Sequence, residues 1–282
     1  MPGEEAAVTS PVAPPDVDVV IVAFNAGSLL EGAVASAEAG VPSDRVVVVD
    51  VGSSDGSVAA LQVAHPSVRV IPSANRGFSA GNNVGIAATD GESVLLLNPD
   101  AVLGPGALDA LVACARAHPS AGIVAPRVAD SGGGIQMGSY GRFPTLLRVL
   151  GLQLARLARR TVGRPLGPRD IAAVTDVDWG TGACMLVRRA AILDVGVMDG
   201  GFFLYYEDVE WCHRMHDHGW SVLIEPRAAC THYLGGSGGA SAAAASAYRE
   251  SFYRYCRIYG LWGLAAVGRL GVGARRMFGG RS

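Results

Sequence analysis

Three segments constrain this chain more than any other: "VDVVIVAFN" (17–25), "RVVVVDVGSSDGS" (45–57) and "SVLLLNPD" (93–100). Each contains at least four consecutive aliphatic residues and then stops on Asn, Asp or Pro. A strand with one wet face alternates apolar and polar residues, whereas an unbroken apolar run marks a strand buried on both faces. Strands of that kind need helices on each side of their sheet. The segments between them suit the purpose: "AGSLLEGAVASAEAG" (26–40) and "SVAALQVAH" (57–65) are helix-compatible, the second with Ser and Asp placed to cap it. "NRGFSAGNNVGIAATDG" (75–91) reads as a loop opening into a helix. With "VRVIPS" (68–73), "GALDALVACARAHP" (106–119) and "AGIVAP" (121–126) the alternation continues. The expected fold class is therefore α/β, a mostly parallel sheet built by right-handed crossovers and flanked by helices.

In such sheets ligands bind beyond the C-terminal strand ends. The polar residues at those ends are Asn25, Asp50 and Asp100. Residues i and i+2 of a strand face the same way, so Asn98 and Asp100 are expected to point into one site. A carboxylate there suits a nucleotide diphosphate neutralised by Mg²⁺ or Mn²⁺, since hard cations take oxygen ligands and keep only one or two protein carboxylates. Asn98 carries no charge but can hydrogen-bond a sugar hydroxyl.

Composition narrows the alternatives. At 282 residues, half of them hydrophobic, the chain can bury a large core as one domain or as a domain with an extension. A net charge of −2 gives no electrostatic reason to bind nucleic acid. All 23 basic residues are Arg, which excludes a phosphate-binding lysine of the Walker type and a Schiff-base lysine. Five cysteines without a C-x-x-C pair fit a reduced, cytoplasmic chain. No apolar run reaches the ~18 residues a membrane-spanning helix needs. Residues 1–16, acidic and Pro-rich, are expected to be a disordered lead rather than a signal peptide. The cluster "CHRMHDH" (212–218) places Cys212 and His216 four apart on a helix, but the closed ligand set of structural zinc is missing. Two basic stretches, 145–164 and the tail from Tyr248 to 282, read equally well as solvated helix faces or as docking surfaces for the anionic inner face of a membrane.

Six motifs occur in a fixed order: "VVIVAFN", "VVVVDVGSSDGS", "NRGFSAGNNVGI", "LLLNPDA", "WGTGACMLVRRAAILDVGVMD" and "FFLYYEDVEWCHR". In that order the chain resembles the inverting family 2 glycosyltransferases, and most closely their rhamnosyltransferase-like branch, over about residues 17–235. The resemblance implies the GT-A (Rossmann-like) fold, with a nucleotide-sugar-binding half (17–126), an acceptor-binding and catalytic half (127–239) and a helical basic C-terminal extension (240–282). It also implies roles. Asp208 matches the catalytic base and Asp100 the metal-binding acid, with His232 as a second metal ligand. Phe24, Asn25, Asp50, Arg76, Asn82, Asn83, Asn98 and Asp100 match positions around the nucleotide and donor. Trp179, Gly182 and Glu207 match the acceptor and sugar pocket. Two departures stand out: Val51 replaces an Asn or Asp common among relatives, and "AFN" replaces "TYN", removing two hydroxyls.

Inverting transfer needs a base opposite the leaving nucleotide diphosphate and a cation beside it, so Asp208 and Asp100 would divide two separate tasks. The expected partners are a dTDP- or UDP-sugar, plausibly dTDP-L-rhamnose, and a glycan, glycolipid or small-molecule acceptor. A nucleotidyltransferase of similar fold and a non-catalytic nucleotide-sugar-binding protein are the alternatives. The first usually shows a basic, Gly-rich loop after its first strand, and "AFNAGSLLEG" has no basic residue.

Overall fold

A computed structural model describes residues 16–148, 171–234 and 242–268. The N-terminal lead, most of the 145–164 segment, the Gly/Ser-rich stretch after residue 234 and the last Arg-rich residues lie outside the described residues. Strands β1 (Val17–Ala23), β2 (Val46–Asp50), β3 (Arg69–Pro72) and β4 (Ser93–Leu97) alternate with helices α1 (Leu29–Glu38), α2 (Ser57–Ala64) and α3 (Phe78–Ala87). Next come β5 (Ala101–Leu103), α4 (Ala107–Ala117), β6 (Ala121–Ala129) and β7 (Tyr140–Gly141). The chain then runs through β8 (Thr175–Val177), β9 (Trp179–Gly180), β10 (Cys184–Arg188), α5 (Arg189–Val195), α6 (Glu207–Asp217), β11 (Ser221–His232) and α7 (Ala242–Ile258).

The large sheet runs β3-β2-β1-β4-β10-β6-β11-β5, with β8 also on β11, while β7 and β9 form a small ribbon. The first four strands pair in parallel, as the alternation implies. The second half mixes directions: β10 is antiparallel to both β4 and β6, and β5 and β8 are antiparallel to β11. No helix links β9 to β10, so no crossover forces β10 to run with its neighbours.

Both faces of the central strands are buried. Val19, Ile21, Leu95 and Leu97 pack under α1, α2 and α4, beside Leu30, Leu61 and Leu111. Their alternates Val20, Val94 and Leu96 pack on the other side against Ile86 of α3, Ile192 of α5 and Trp211 and Met215 of α6. Each such buried aliphatic side chain contributes about 1.5–3 kcal/mol relative to exposure. That double burial is why the runs carry no alternation.

Strand directions fix where polar ends meet. Because β6 is antiparallel to β10, which is antiparallel to β4, β6 and its parallel partner β11 run with β4. Asp50, Leu97 and His232, the last residues of β2, β4 and β11, therefore reach one edge of the sheet.

Candidate active site

At that edge β4 stops after Leu97, and residues 98–101 form a tight turn in which Ala101 N–H donates to Asn98 O at 3.1 Å. Pro99 supplies the fixed φ that the second position of such a turn favours. Asn98 and Asp100 thus converge because they flank a turn, and the strand alternation inferred from sequence is not the cause. Both reach His232. Its Nε2 lies 3.0 Å from Asp100 Oδ1 and 3.3 Å from Asn98 Nδ2, and its Nδ1 lies 2.9 Å from Gln136 Oε1. Asp100 and His232 are buried at 8% and 7% exposure. Pairing of β5 with β11 sets His232 opposite Ala101, one residue from Asp100. Among the described residues, Asn98 Oδ1 is buried without a hydrogen-bond partner.

A cavity of about 490 Å³ opens beside this cluster. Asn98, Gln136 and His232 line it, and so do Trp179, Gly182, Glu207 and Asp208. Two consecutive residues before α6, Tyr205 and Tyr206, hold φ of +69° and +66°. Left-handed backbone at non-glycine residues costs of order 1–3 kcal/mol each and survives only where packing imposes it. Here it swings the first turn of α6 into the cavity. Asp208 is fixed there by two N–H groups, Gly182 donating to Oδ2 at 2.9 Å and Val209 to Oδ1 at 2.8 Å. A Cβ on Gly182 would crowd the Phe78 ring at 3.2 Å, whereas its 3.6 Å to Asp208 Cβ is an ordinary contact.

The two acids of "ED" are held differently. Burial raises the Asp208 carboxyl above the usual Asp range, and its bonds from Gly182 and Val209 oppose that rise. Burial, then the neighbouring Asp208 charge, pushes Glu207 well above the usual Glu range. Glu207 Oε2 is buried with no partner among the described residues. Both carboxyls are desolvated, but only Asp208 receives main-chain N–H donors, which favour its charged form over that of Glu207.

The remaining residues singled out from sequence lie elsewhere on the edge. Asp50 Oδ1 accepts from Ser53 N–H at 2.8 Å, shaping the loop after β2. Asn25, at φ +49°, accepts from Ser54 N–H at 2.8 Å and joins the β1 and β2 loops, with half-buried Phe24 beside them. Arg76 is exposed and makes no ion pair among the described residues. Asn82 is buried, its amide donating to Phe78 O at 3.0 Å. Asn83 exchanges a pair of bonds with the Met198 main chain, 2.8 and 3.1 Å long. Both amides are engaged inside the fold, Asn83 tying the first half to the second. In "CHRMHDH", Cys212 is fully buried and His216 Nε2 faces the carbonyls of Val177 and Asp178, a packing arrangement. Among the described residues no cluster of three His, Cys, Asp or Glu side chains could hold a metal ion.

A family model described as "Glycosyltransferase like family 2" matches residues 14–252. A relative from Mycobacterium tuberculosis, N-acetylglucosaminyl-diphospho-decaprenol L-rhamnosyltransferase, is 34% identical over 258 residues, covering 83% of this chain and 82% of its own length. The chain belongs to glycosyltransferase family 2. It is a rhamnosyltransferase-like glycosyltransferase, and the nucleotidyltransferase and non-catalytic alternatives fall away. Rhamnosyltransferase WbbL of Escherichia coli is 25% identical over 169 residues, covering 56% of this chain and 61% of that protein. Among solved structures, GalNAc-T7 with UDP, GalNAc and Mn²⁺ superposes with a TM-score of 0.61 at 16% identity, over 86% of this chain and 47% of that one. That likeness shows the GT-A fold.

Sequence reasoning missed several residues of this glycosyltransferase. Gln136 follows "ADSGGG", a legible turn signal, but nothing local reveals that its amide meets His232. The aromatic run before "ED" was visible, whereas the positive φ of Tyr205 and Tyr206 was not. Phe78, Arg142 and Tyr248 also line the cavity, brought from separate parts of the chain.

Proposed function

We propose that the protein transfers L-rhamnose, with inversion and divalent-metal dependence, from dTDP-L-rhamnose to a hydroxyl of a polyprenyl-diphosphate-linked sugar at the cell envelope. One observation carries this reading: Asp208, Asn98 and His232, which come from three separate elements, line a single cavity, and Asp100 is held against His232. Inversion needs those two functions on opposite sides of the anomeric carbon. Asp208 accepts the proton of the acceptor hydroxyl as that oxygen attacks. Glu207, protonated, offers a hydrogen bond to a sugar hydroxyl in the cavity. Asp50, Asn25, Phe24 and Arg76 accommodate the nucleotide, with Arg76 free to swing onto the diphosphate.

The donor atoms fit Mg²⁺ or Mn²⁺. Asp100 Oδ1 and His232 Nε2 approach to 3.0 Å, and Asn98, whose Nδ2 lies 3.3 Å from that Nε2, carries a buried Oδ1 with no partner among the described residues. A carboxylate, an imidazole and an amide oxygen form the mixed set that Mn²⁺ accepts, with diphosphate oxygens completing it. When bound, the cation stabilises charge on the departing diphosphate.

The lipid-linked acceptor is supported by the name of the mycobacterial relative and by the rim of the cavity. Met137, Leu234 and Tyr248 line it while remaining 65%, 55% and 49% exposed. Among the described residues no helix is long and apolar enough to cross a membrane, so contact with the inner membrane face would be peripheral. The test is a thermal-shift series with dTDP- and UDP-sugars, with and without Mn²⁺, followed by product analysis on a polyprenyl-diphosphate acceptor. Ligands specific to the native state raise the melting temperature. Stabilisation by UDP-sugars alone, or equal stabilisation without metal, would count against the reading.

A further inference from the structure

We propose that Gln136 is a positioning residue for the cation-binding group: its side-chain carbonyl holds His232 with the proton on Nδ1 and the Nε2 lone pair directed at Asp100. The proposal rests on the metal reading above and deepens it.

A neutral imidazole has one donor and one acceptor nitrogen, and the partner of one decides the role of the other. Gln136 Oε1, an acceptor, sits 2.9 Å from Nδ1, so Nδ1–H donates to it. Nε2 then carries a lone pair and faces Asp100 Oδ1 at 3.0 Å. Two acceptor atoms at hydrogen-bond distance call for a positive charge between them, a proton or a cation. Asn98 Nδ2, 3.3 Å away, is the donor that lone pair meets within the fold.

Gln136 is anchored as a fixed reference point. Its N–H donates to Val128 O at 3.0 Å, and its carbonyl accepts from Ser139 Oγ at 2.9 Å and from Ser139 N–H at 3.3 Å. The preceding residue, Ile135, bridges Ala129 at the end of β6. Between them Asp130 staples a glycine turn: its Oδ1 accepts from Gly132 N–H at 2.9 Å and from Gly134 N–H at 3.1 Å. The amide therefore hangs from a closed hairpin on the sheet. A glutamine orients the ring without adding negative charge, which distinguishes it from the carboxylates that often back metal-bound histidines.

The test uses the full chain and Mn²⁺ alone. Free Mn²⁺ is followed by electron paramagnetic resonance in wild type, Gln136→Leu, Gln136→Glu and His232→Ala, and the His232 tautomer is read from ¹⁵N chemical shifts. Loss of an outer partner of a metal-bound histidine typically weakens metal affinity 10- to 100-fold. Gln136→Leu is expected to raise the Mn²⁺ dissociation constant by about that factor in a protein that stays folded with a melting temperature a few degrees lower, and Gln136→Glu, which keeps the acceptor, to restore binding. Wild-type His232 should carry its proton on Nδ1. Wild-type affinity in Gln136→Leu, or a proton on Nε2 in the wild type, overturns the proposal while leaving the metal reading standing if His232→Ala has lost binding. Undiminished binding in His232→Ala, or no Mn²⁺ uptake by the wild type, overturns both.

Discussion

Replacing Asp208 by Asn separates the proton-accepting role proposed for this side chain from its structural one. The amide has nearly the same shape but cannot take a proton from the acceptor. General-base catalysis contributes typically ~10²–10⁴-fold, about 3–5 kcal/mol of barrier, and kcat should fall by that factor. The structural cost is separable. Asp208 receives an N–H on each carboxylate oxygen, from Gly182 and from Val209. Asn keeps one of these bonds and turns its NH₂ against the other donor, leaving an N–H unsatisfied at a cost of about 1–3 kcal/mol. In a chain of this size that lowers the melting temperature by roughly 2–4 °C per kcal/mol, far from unfolding it at 25 °C. Asp50 and Arg76 do not line the cavity, so donor affinity by calorimetry should hold. The assay is release of nucleoside diphosphate at saturating donor and acceptor. A folded Asp208→Asn variant with kcat within tenfold of wild type would refute the base assignment.

Glu207 gives a pH signature in stability. Its carboxyl is raised in the fold, so its favourable contribution is complete below the ordinary Glu range and is lost as pH rises through the folded value. Glu207→Gln should therefore gain stability over wild type between acid and neutral pH, measured by urea midpoints across that range; a constant difference would contradict it. Arg76→Ala, at an exposed position, should raise KM for the donor several-fold with an unchanged melting temperature, since an exposed side chain without ion pairs contributes within about 0.5 kcal/mol to folding. Gly77→Ala should destabilise by at least about 2 kcal/mol. Its φ is +99°, and a Cβ there would overlap the Phe203 main chain, whose carbonyl accepts from Phe78 N–H at 2.8 Å. Thermal denaturation of that variant at wild-type temperature would remove the close approach as a constraint.

The first half of the fold was legible because local pattern and tertiary environment agree there. Val19, Val48 and Leu95 sit in strands buried on both faces, and a buried parallel strand writes itself as an unbroken aliphatic run. The direction of β10 was not legible, because "CMLVR" is equally apolar whichever way it runs. The same distinction governs the site. Asp100 stands in a turn at a strand end and Asp208 in the first turn of a helix, where an acid is also favoured by the helix dipole, so the surrounding motifs rather than position alone single them out. Asn82 and Asn83 sit in an equally suggestive Gly-rich segment, yet their partners are main-chain atoms, Asn83's in Met198 far along the chain. Long-range bonds of an amide leave no local trace. Gln136 is the converse, an unremarked residue given importance by a histidine far along the chain.

The pair Tyr205–Tyr206 depends on an element made late in the chain. Tyr206 rests against Tyr248, Phe252 and Tyr255 of α7 at ring separations of 5.4, 5.6 and 5.4 Å, and Ser251 Oγ donates to Leu204 O at 2.8 Å. The left-handed backbone that aims Asp208 is thus braced by one of the later elements of the chain. Translation delivers the nucleotide edge first and this brace afterwards. The strands that carry Asp50 and Asp100 are therefore complete in the chain well before the residues that hold the backbone at Tyr206, so the first turn of α6 takes its shape only once α7 has been made.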